Sequence, residues 1–347
     1  MKLHPKLRKI IGASLALASL MAIDPSSAQD AALIEAARKE GSVTWYTTQI
    51  INQFARPAAD AFEKKYGIKA NYLRADSNQV ALRIVNESKA GRTMVDVFDG
   101  TTVTPVLKKE GLVLQWVPES ARRFGPQYID KDGYWIATNL YVLTPGFNTS
   151  LVPKGTEPKN WNDLLDPKWK GKMAWNSSSS TSAGPGFIGL VLAELGQEKG
   201  LEYIKALAKQ DVAGLKVAAR QVLDQVIAGE YPIALEIFNN HAVISAQQGA
   251  PAAWIPMNPS LAVLSVLSIM KEAPHPNAAK LLVEFLASEE GQKLYRDADY
   301  MPVDPAVPPR DPSLRPDGKN FRAIYMTPEQ VQESMPAWTD IFKQYFN

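Results

Sequence analysis

The chain has 347 residues, 46% of them hydrophobic, which is enough for two domains with cores of their own. Its 38 basic and 36 acidic residues nearly cancel, so nothing in the charge points to nucleic acid. The absence of cysteine excludes disulfides, thiol nucleophiles and thiolate metal sites.

Residues 1–28 read as an export signal. Lys2, Lys6, Arg8 and Lys9 form a basic start, Ile10 to Ile23 an apolar run, and Ser26-Ser27-Ala28 a small-residue site for a cut after Ala28. The apolar run is short for a membrane span, and no later stretch reaches 18 apolar residues. With no cysteine for a lipid anchor, the exported protein is expected to be free, with its stability coming from its core.

From Asp30 the pattern alternates. A short helix (30–39) precedes a strand over SVTWYTT (42–48), then a helix from Phe54 to Tyr66 stopped by Gly67. IKANYLRA is a second strand, SNQVALRIVNESKAG a second helix with Ser77 as N-cap, and MVDVFDG (94–100) a third strand, followed by a third helix capped by Thr or Asp. This β-α-β-α-β-α order implies a mostly parallel sheet with helices on both faces. Ligands of such sheets bind beyond the carboxyl ends of the strands. The loops there are Thr47-Thr48-Gln49, Asp76-Ser77-Asn78-Gln79 and Asp99-Gly100-Thr101-Thr102, all rich in hydrogen-bonding side chains. Each alone could be ordinary caps and turns; three at one end of one sheet point to a site.

After a loop-rich stretch (112–135), WIATNLYVLTPGFNTSLVP predicts two adjoining strands, with Pro145-Gly146 and Asn148-Thr149 as turn signals. A strand over KMAW leads into SSSSTSAGPGFIGL, where Ser177 to Ser182 sit at a helix start with Pro185 in its first turn. A helix start offers free N–H groups and the positive end of the dipole, and Ser178, Ser179, Ser180, Thr181 and Ser182 add hydroxyls, so an anion fits there. A flexible serine loop with an ordinary cap is the alternative. A two-piece helix (LGQEKGLEYIKALAKQD), a helix opened by Arg220, the strand PIALEIFNN, a short helix through His241 and a strand over GAPAAWIPMN follow. Asn277 to Ser288 is a helix extended by EEGQKLYRD, and a proline-rich tail ends in a helix from Thr327 to about Phe346. A second α/β unit, about 146–256, is thus inserted into the first.

The segments AFEKKYGIKA, MVDVFDG, LLDPKWKGK, VIAGEYPIAL and PNAAKLLVEFLASEEGQKLY, in this order, resemble the ferric-type periplasmic solute-binding proteins of ABC importers, family 1 extracellular binding proteins with the type II periplasmic fold. The resemblance runs over nearly the whole mature chain. It implies an α/β protein of two lobes, each a mixed, mainly parallel sheet flanked by helices, joined by a two-strand hinge. Lobe 1 would comprise 29–143 and 258–347, and lobe 2 residues 144–257. One hinge strand would lie in YVLTPGFN and the other between Trp254 and Leu264. It further implies a monomer without cofactor or chemistry of its own, which captures a small molecule by closure and passes it to an inner-membrane permease driven by an ATPase. The serine loop would contact an anion from lobe 2.

Members of the family bind ferric ion, phosphonates, other small organic acids or cationic cofactors. Iron binders carry adjacent tyrosines just after the strand that here reads PIALEI; this chain has Phe238, Asn239, Asn240 and His241. Ferric ion wants anionic oxygen ligands, which Thr, Gln, Phe and Asn do not supply. A small carboxylate or phosphonate is therefore expected, with ferric ion as the alternative through Glu236, His241, Asp76 and Asp99. Arg220 could clamp the anion with two hydrogen bonds, although surface arginines are common. Tyr46, Trp175 and Phe238 could wall the cleft; for Tyr46 and Trp175, within strands, a core role is the expectation. A lone His241 is more often structural than a ligand. A Ser/His/Asp hydrolase is the rival class, but no G-x-S-x-G elbow is present.

Overall fold

The computed structural model describes residues 25–316 and 318–346. The basic start and apolar run of the expected export signal lie outside the described residues. The first element is the helix α1, Pro25–Glu40.

The first three β-α units form as their patterns predict. They comprise β1 (Ser42–Thr47), α2 (Arg56–Tyr66), β2 (Lys69–Arg74), α3 (Ser77–Lys89), β3 (Val97–Gly100) and α4 (Val103–Lys109). One wide turn, Ile51–Ala55, precedes α2, so that helix starts two residues later than its apolar pattern suggests. Ala58, Ala59 and Phe62 bury one face of α2, and Gly67 ends it in the left-handed conformation that favours glycine. The N-cap position of α3 is Asp76 rather than Ser77. β1 runs parallel to both β2 and β3, so Thr47, Arg74 and Gly100 end at the same edge.

Two long strands cross the middle of the molecule. β4 (Ile136–Asn148) is one 13-residue strand, not the two strands that Pro145-Gly146 predicts. The chain takes a register shift between Thr144 and Gly146 and continues. Glycine at 146 makes room for Ile237, whose Cδ1 would lie 2.3 Å from a Cβ there and would have to shift for any larger residue. The Pro145 carbonyl is not lost to the sheet, for it accepts from the Ile255 amide at 2.8 Å.

The second half then adds β5 (Met173–Asn176), α5 (Gly184–Ala208), β6 (Ala213–Leu215), α6 (Ala219–Ala228), β7 (Ile233–Phe238), α7 (Asn239–Gln247) and β8 (Ala252–Trp254). Gly196 breaks α5 into the two expected pieces with a left-handed φ of 76°. β6 is a short strand absent from the sequence reading. The chain returns through β9 (Ser260–Ile269), α8 (Pro276–Ala287), α9 (Glu289–Asp297), β10 (Met301–Pro302), β11 (Ala323–Met326) and α10 (Pro328–Phe346). Ser288 separates α8 from α9 by capping the Gly291 amide.

The strand order is β2-β1-β3-β9-β4-β7-β5-β6, a mixed sheet in which β4 and β9 pair antiparallel and are shared by both halves. On one side of the crossing, β1, α2, α8 and α9 share a core with Trp45, Phe54, Phe62, Phe285 and Tyr295. On the other, β5, β7, α5 and α10 pack Trp175, Phe187, Ile204, Leu235 and Phe342 together. Burial of each such side chain contributes about 2–3 kcal/mol, so each half has the apolar content of a domain. Tyr46 and Trp175 are core residues, with only 2% and 0% of their surface exposed.

Candidate functional site

In the first half the three loops come together around Asp99. Its side chain is fully buried and accepts four hydrogen bonds: from Trp45 Nε1 (2.8 Å), Thr47 Oγ1 (2.5 Å), the Thr48 amide (2.8 Å) and Thr48 Oγ1 (2.7 Å). Burial raises the Asp99 pKa, and these donors act against that shift. The next residue, Gly100, has a φ of 148°, and a Cβ on it would stand 2.8 Å from Ser77 Oγ and 3.1 Å from the Thr48 methyl. The three loops thus touch across a glycine that no other residue could replace without displacing its neighbours. Thr101 is half-buried beside it, ahead of α4. Asp76 is exposed and paired with Arg74 at 3.1 Å.

Gln49 is also fully buried, and its amide is completely used. Its Nε2 donates to Asn139 Oδ1 and Ser265 Oγ, both at 3.1 Å, and its Oε1 accepts from Tyr141 OH at 3.1 Å. Asn139 and Tyr141 belong to β4 and Ser265 to β9, so the first loop is tied to both crossing strands. The Tyr141 ring then packs against Phe238, with centroids 5.0 Å apart, and Phe238 packs at 5.0 Å against His241. Burial and the charge of nearby Arg220 lower the His241 pKa to about 4. A chain of contacts therefore runs from Gln49 through Tyr141 and Phe238 to His241, which feels the charge of Arg220.

In the second half, β5 is parallel to β6 and β7, so Asn176, Leu215 and Phe238 end at one edge. The helices α5, α6 and α7 start there. The serine loop leads into α5 as expected. Thr181 is buried, with its carbonyl seated where a side chain on Gly186 would be. Ser180 and Ser182 bond each other at 3.2 Å, the Ser178 amide donates to Asn176 Oδ1 at 2.7 Å, and Ser179 Oγ meets Thr339 Oγ1 of α10 at 2.7 Å. Arg220 is half-exposed and pairs with Asp224 at 3.0 Å. Glu236 is fully buried, and neither carboxyl oxygen has a hydrogen-bond partner among the described residues; burial raises its pKa well above the ordinary value. Asn239 is buried and spends its side chain on the Leu314 carbonyl and the Asn240 amide.

The structure thus brings Thr47, Thr48, Gln49, Ser77, Asp99 and Thr101 into one cluster and links that cluster through Tyr141 to Phe238 and His241. It gives the side chain of Asp76 to an ion pair and that of Asn239 to structural hydrogen bonds. Sequence reasoning missed Tyr141 and Asn139. Their signal was alternation along β4, where residues 139 and 141 share a face, hidden in a strand that is buried almost throughout on both faces.

Residues 96–324 match the family model described as bacterial extracellular solute-binding protein, and the chain belongs to that family. Its fold is the two-lobed type II periplasmic binding fold, and it is the solute-binding component of an ABC importer rather than an enzyme. Proteins of this kind deliver ligand to a permease. A Salmonella typhimurium protein, named provisionally as a 2-aminoethylphosphonate-binding periplasmic protein, is 25% identical over 319 residues, covering 87% of this chain and 85% of its own. Iron-bound HitA from Pseudomonas aeruginosa superposes with a TM-score of 0.73 at 23% identity, over 86% of this chain and 99% of its own. AfuA from Actinobacillus pleuropneumoniae, a periplasmic binding protein solved with fructose-6-phosphate, gives 0.73 at 24%, over 87% and 99%.

Proposed function

We propose that this protein captures a small organic anion, a carboxylate or phosphonate, between two lobes and hands it to an inner-membrane permease with its ATPase. Lobe 1 comprises 29–143 and 258–347 except for α10, which packs on α5 in the second core and so goes with lobe 2, 144–257; residues 1–28 direct export to the periplasm, where the protein acts as a monomer. The observation that carries the reading is the convergence of Thr48 and Ser77 on Gly100. It leaves the Ser77 and Thr101 hydroxyls and backbone at the carboxyl ends of three strands, while the Asp99 carboxylate is saturated by donors, the Thr47 and Thr48 hydroxyls among them, and Asp76 is paired with Arg74. From lobe 2 the start of α5 with Ser178, Ser179, Ser180, Thr181 and Ser182, and the guanidinium of Arg220, face the same charge requirement. Thr47, Gln49, Asp99 and Phe238 shape the cleft, and Glu236 lies beneath it. The likeness to a relative named for an aminophosphonate supports an anionic ligand.

Ferric ion fits these residues less well. It wants phenolates and carboxylates, and burial pushes the hydroxyl of Tyr300 up to about 12 and holds that of Tyr141 well above its ordinary value too. Native mass spectrometry of protein purified from periplasm without chelator tests the assignment. A bound small organic mass supports it, whereas one bound iron, with a visible tyrosinate colour on addition of ferric citrate, overturns it.

A further inference from the structure

Asn239 and Asn240 open α7, and their amides are spent on the fold. Asn239 Nδ2 donates to the Leu314 carbonyl at 3.1 Å, and Asn240 Nδ2 donates to the Asp299 carbonyl at 3.1 Å. Both side chains are buried, with 1% and 5% of their surface exposed. The acceptors belong to the other core: Leu314, Ala298 and Tyr300 pack with Trp45, Phe54 and Phe285. The start of α7 belongs to a separate cluster, where Ala242 packs with Val222, Ala234 and Ile237. The two amides therefore bond across from one core to the other.

The acceptor segment is itself held fast to the first core. The Ile50 amide donates to Tyr300 OH at 3.4 Å, and Gln53 Nε2 donates to the Ala298 carbonyl. Asp299 sits just past the end of α9 with a φ of 57°, a left-handed position where glycine is the usual residue. Its side chain is held by Arg310 at 3.3 Å, and Arg310 also bonds the Asp297 carbonyl. The left-handed turn stops the chain from continuing as helix and presents the 299 carbonyl to Asn240.

We propose that Asn239 and Asn240 are positioning residues, forming a clasp between the start of α7 and the 299–314 segment that sets how readily the cleft opens. The proposal rests on the two-lobed capture described above. The clasp carries Phe238 and His241 with it, so its strength governs the arrangement of the lobe 2 wall without any contact to ligand.

The chain contains no cysteine, so a donor and an acceptor dye can be attached at two engineered sites. Leu82→Cys on α3 and Leu151→Cys beyond β4 suit this, being exposed by 62% and 48%. Single-molecule energy transfer is measured first without ligand. Asn239→Ala with Asn240→Ala is expected to raise the ratio of open to closed molecules roughly tenfold, the effect of losing two buried amide bonds. Hydrogen exchange within α7 should stay unchanged, which a loss of local folding would not allow. Should the double variant fail to fold, Asn240→Ser, too short to reach Asp299, is expected to give a smaller shift of about threefold. A ligand-free transfer distribution identical to that of the unmodified pair overturns the clasp. Addition of 2-aminoethylphosphonate is a separate arm. No change of transfer in the otherwise unmodified protein counts against the phosphonate reading, while the clasp is decided by the ligand-free data.

Discussion

The two sets of strand ends that meet at Tyr141 are finished differently. Beyond β1 and β3, every polar atom of the Gln49 amide and both oxygens of Asp99 are bonded. Beyond and beneath the end of β7, Glu236 has no partner among the described residues, and neither do His241 Nδ1 and Ser245 Oγ. A buried polar group without a partner costs about 1–3 kcal/mol; the second set carries that loss at three residues, whereas beside Gln49 it falls on Asn139 Nδ2, outside the bonds made by Gln49 and Asp99 themselves. The difference teaches where adaptation to a ligand is stored. The first loops are preorganised, and the second half keeps groups whose bonding can change when the cleft closes.

The sharpest way to break this comparison is to unsettle the first set. Asp99→Asn places an amide among four donors, and at least two of them lose their acceptor. The protein should lose about 4 kcal/mol of stability, read from denaturant midpoints at constant slope. A loss below about 1 kcal/mol would mean that the Asp99 cluster is no more rigid than the other end.

His241 should behave in the opposite sense to a paired residue. Its folded pKa is about 4, below the unfolded value, so the unfolded chain takes up the proton first as pH falls. Stability should therefore drop between about pH 6.5 and pH 4, by about 2 kcal/mol once its partly exposed edge is allowed for. His241→Asn should flatten that part of the profile; an unchanged profile would show that His241 is not held neutral. Glu236 works in the other direction. Its folded pKa is raised, so the unfolded chain ionises first as pH rises above the ordinary carboxylate value. Glu236→Leu should stabilise the protein by about 1.5 kcal/mol at neutral pH, with the gain shrinking toward pH 4.5. Equal gain at both pH values would deny that burial keeps this acid protonated.

Much of this was legible in the chain. The alternation of helix and strand up to Lys109 follows from local pattern, and the loops after β1, β2 and β3 then fall at one edge by topology alone. Pro145-Gly146 misled because the same dipeptide makes a turn or a bulge, and only the approach of Ile237 from β7 decides between them. Gln49 read as a ligand donor because its partners lie 90, 92 and 216 residues away, beyond any local spacing rule. Asn239 was opaque for the same reason, since its acceptor is a carbonyl 75 residues further on. Buried polar side chains look alike in a sequence whether they await a ligand or serve the fold.

Arg220 sharpens the comparison with the smallest change to the fold. It is half-exposed, and its bond to Asp224 is a surface i,i+4 pair, which contributes only about 0.3–0.5 kcal/mol. Arg220→Ala should thus leave the melting of the ligand-free protein nearly unaltered. If the guanidinium turns from Asp224 to the ligand on closure, the same change should weaken binding of 2-aminoethylphosphonate at least tenfold, about 1.4 kcal/mol. The loss should appear mainly as faster dissociation, because the bond forms only after the lobes have met. Unaltered affinity in Arg220→Ala would remove Arg220 from the site and leave the start of α5 as the main anion contact of lobe 2. Its pull on His241 would also be gone, so the His241 pKa should rise in this variant, a shift readable by NMR without any ligand.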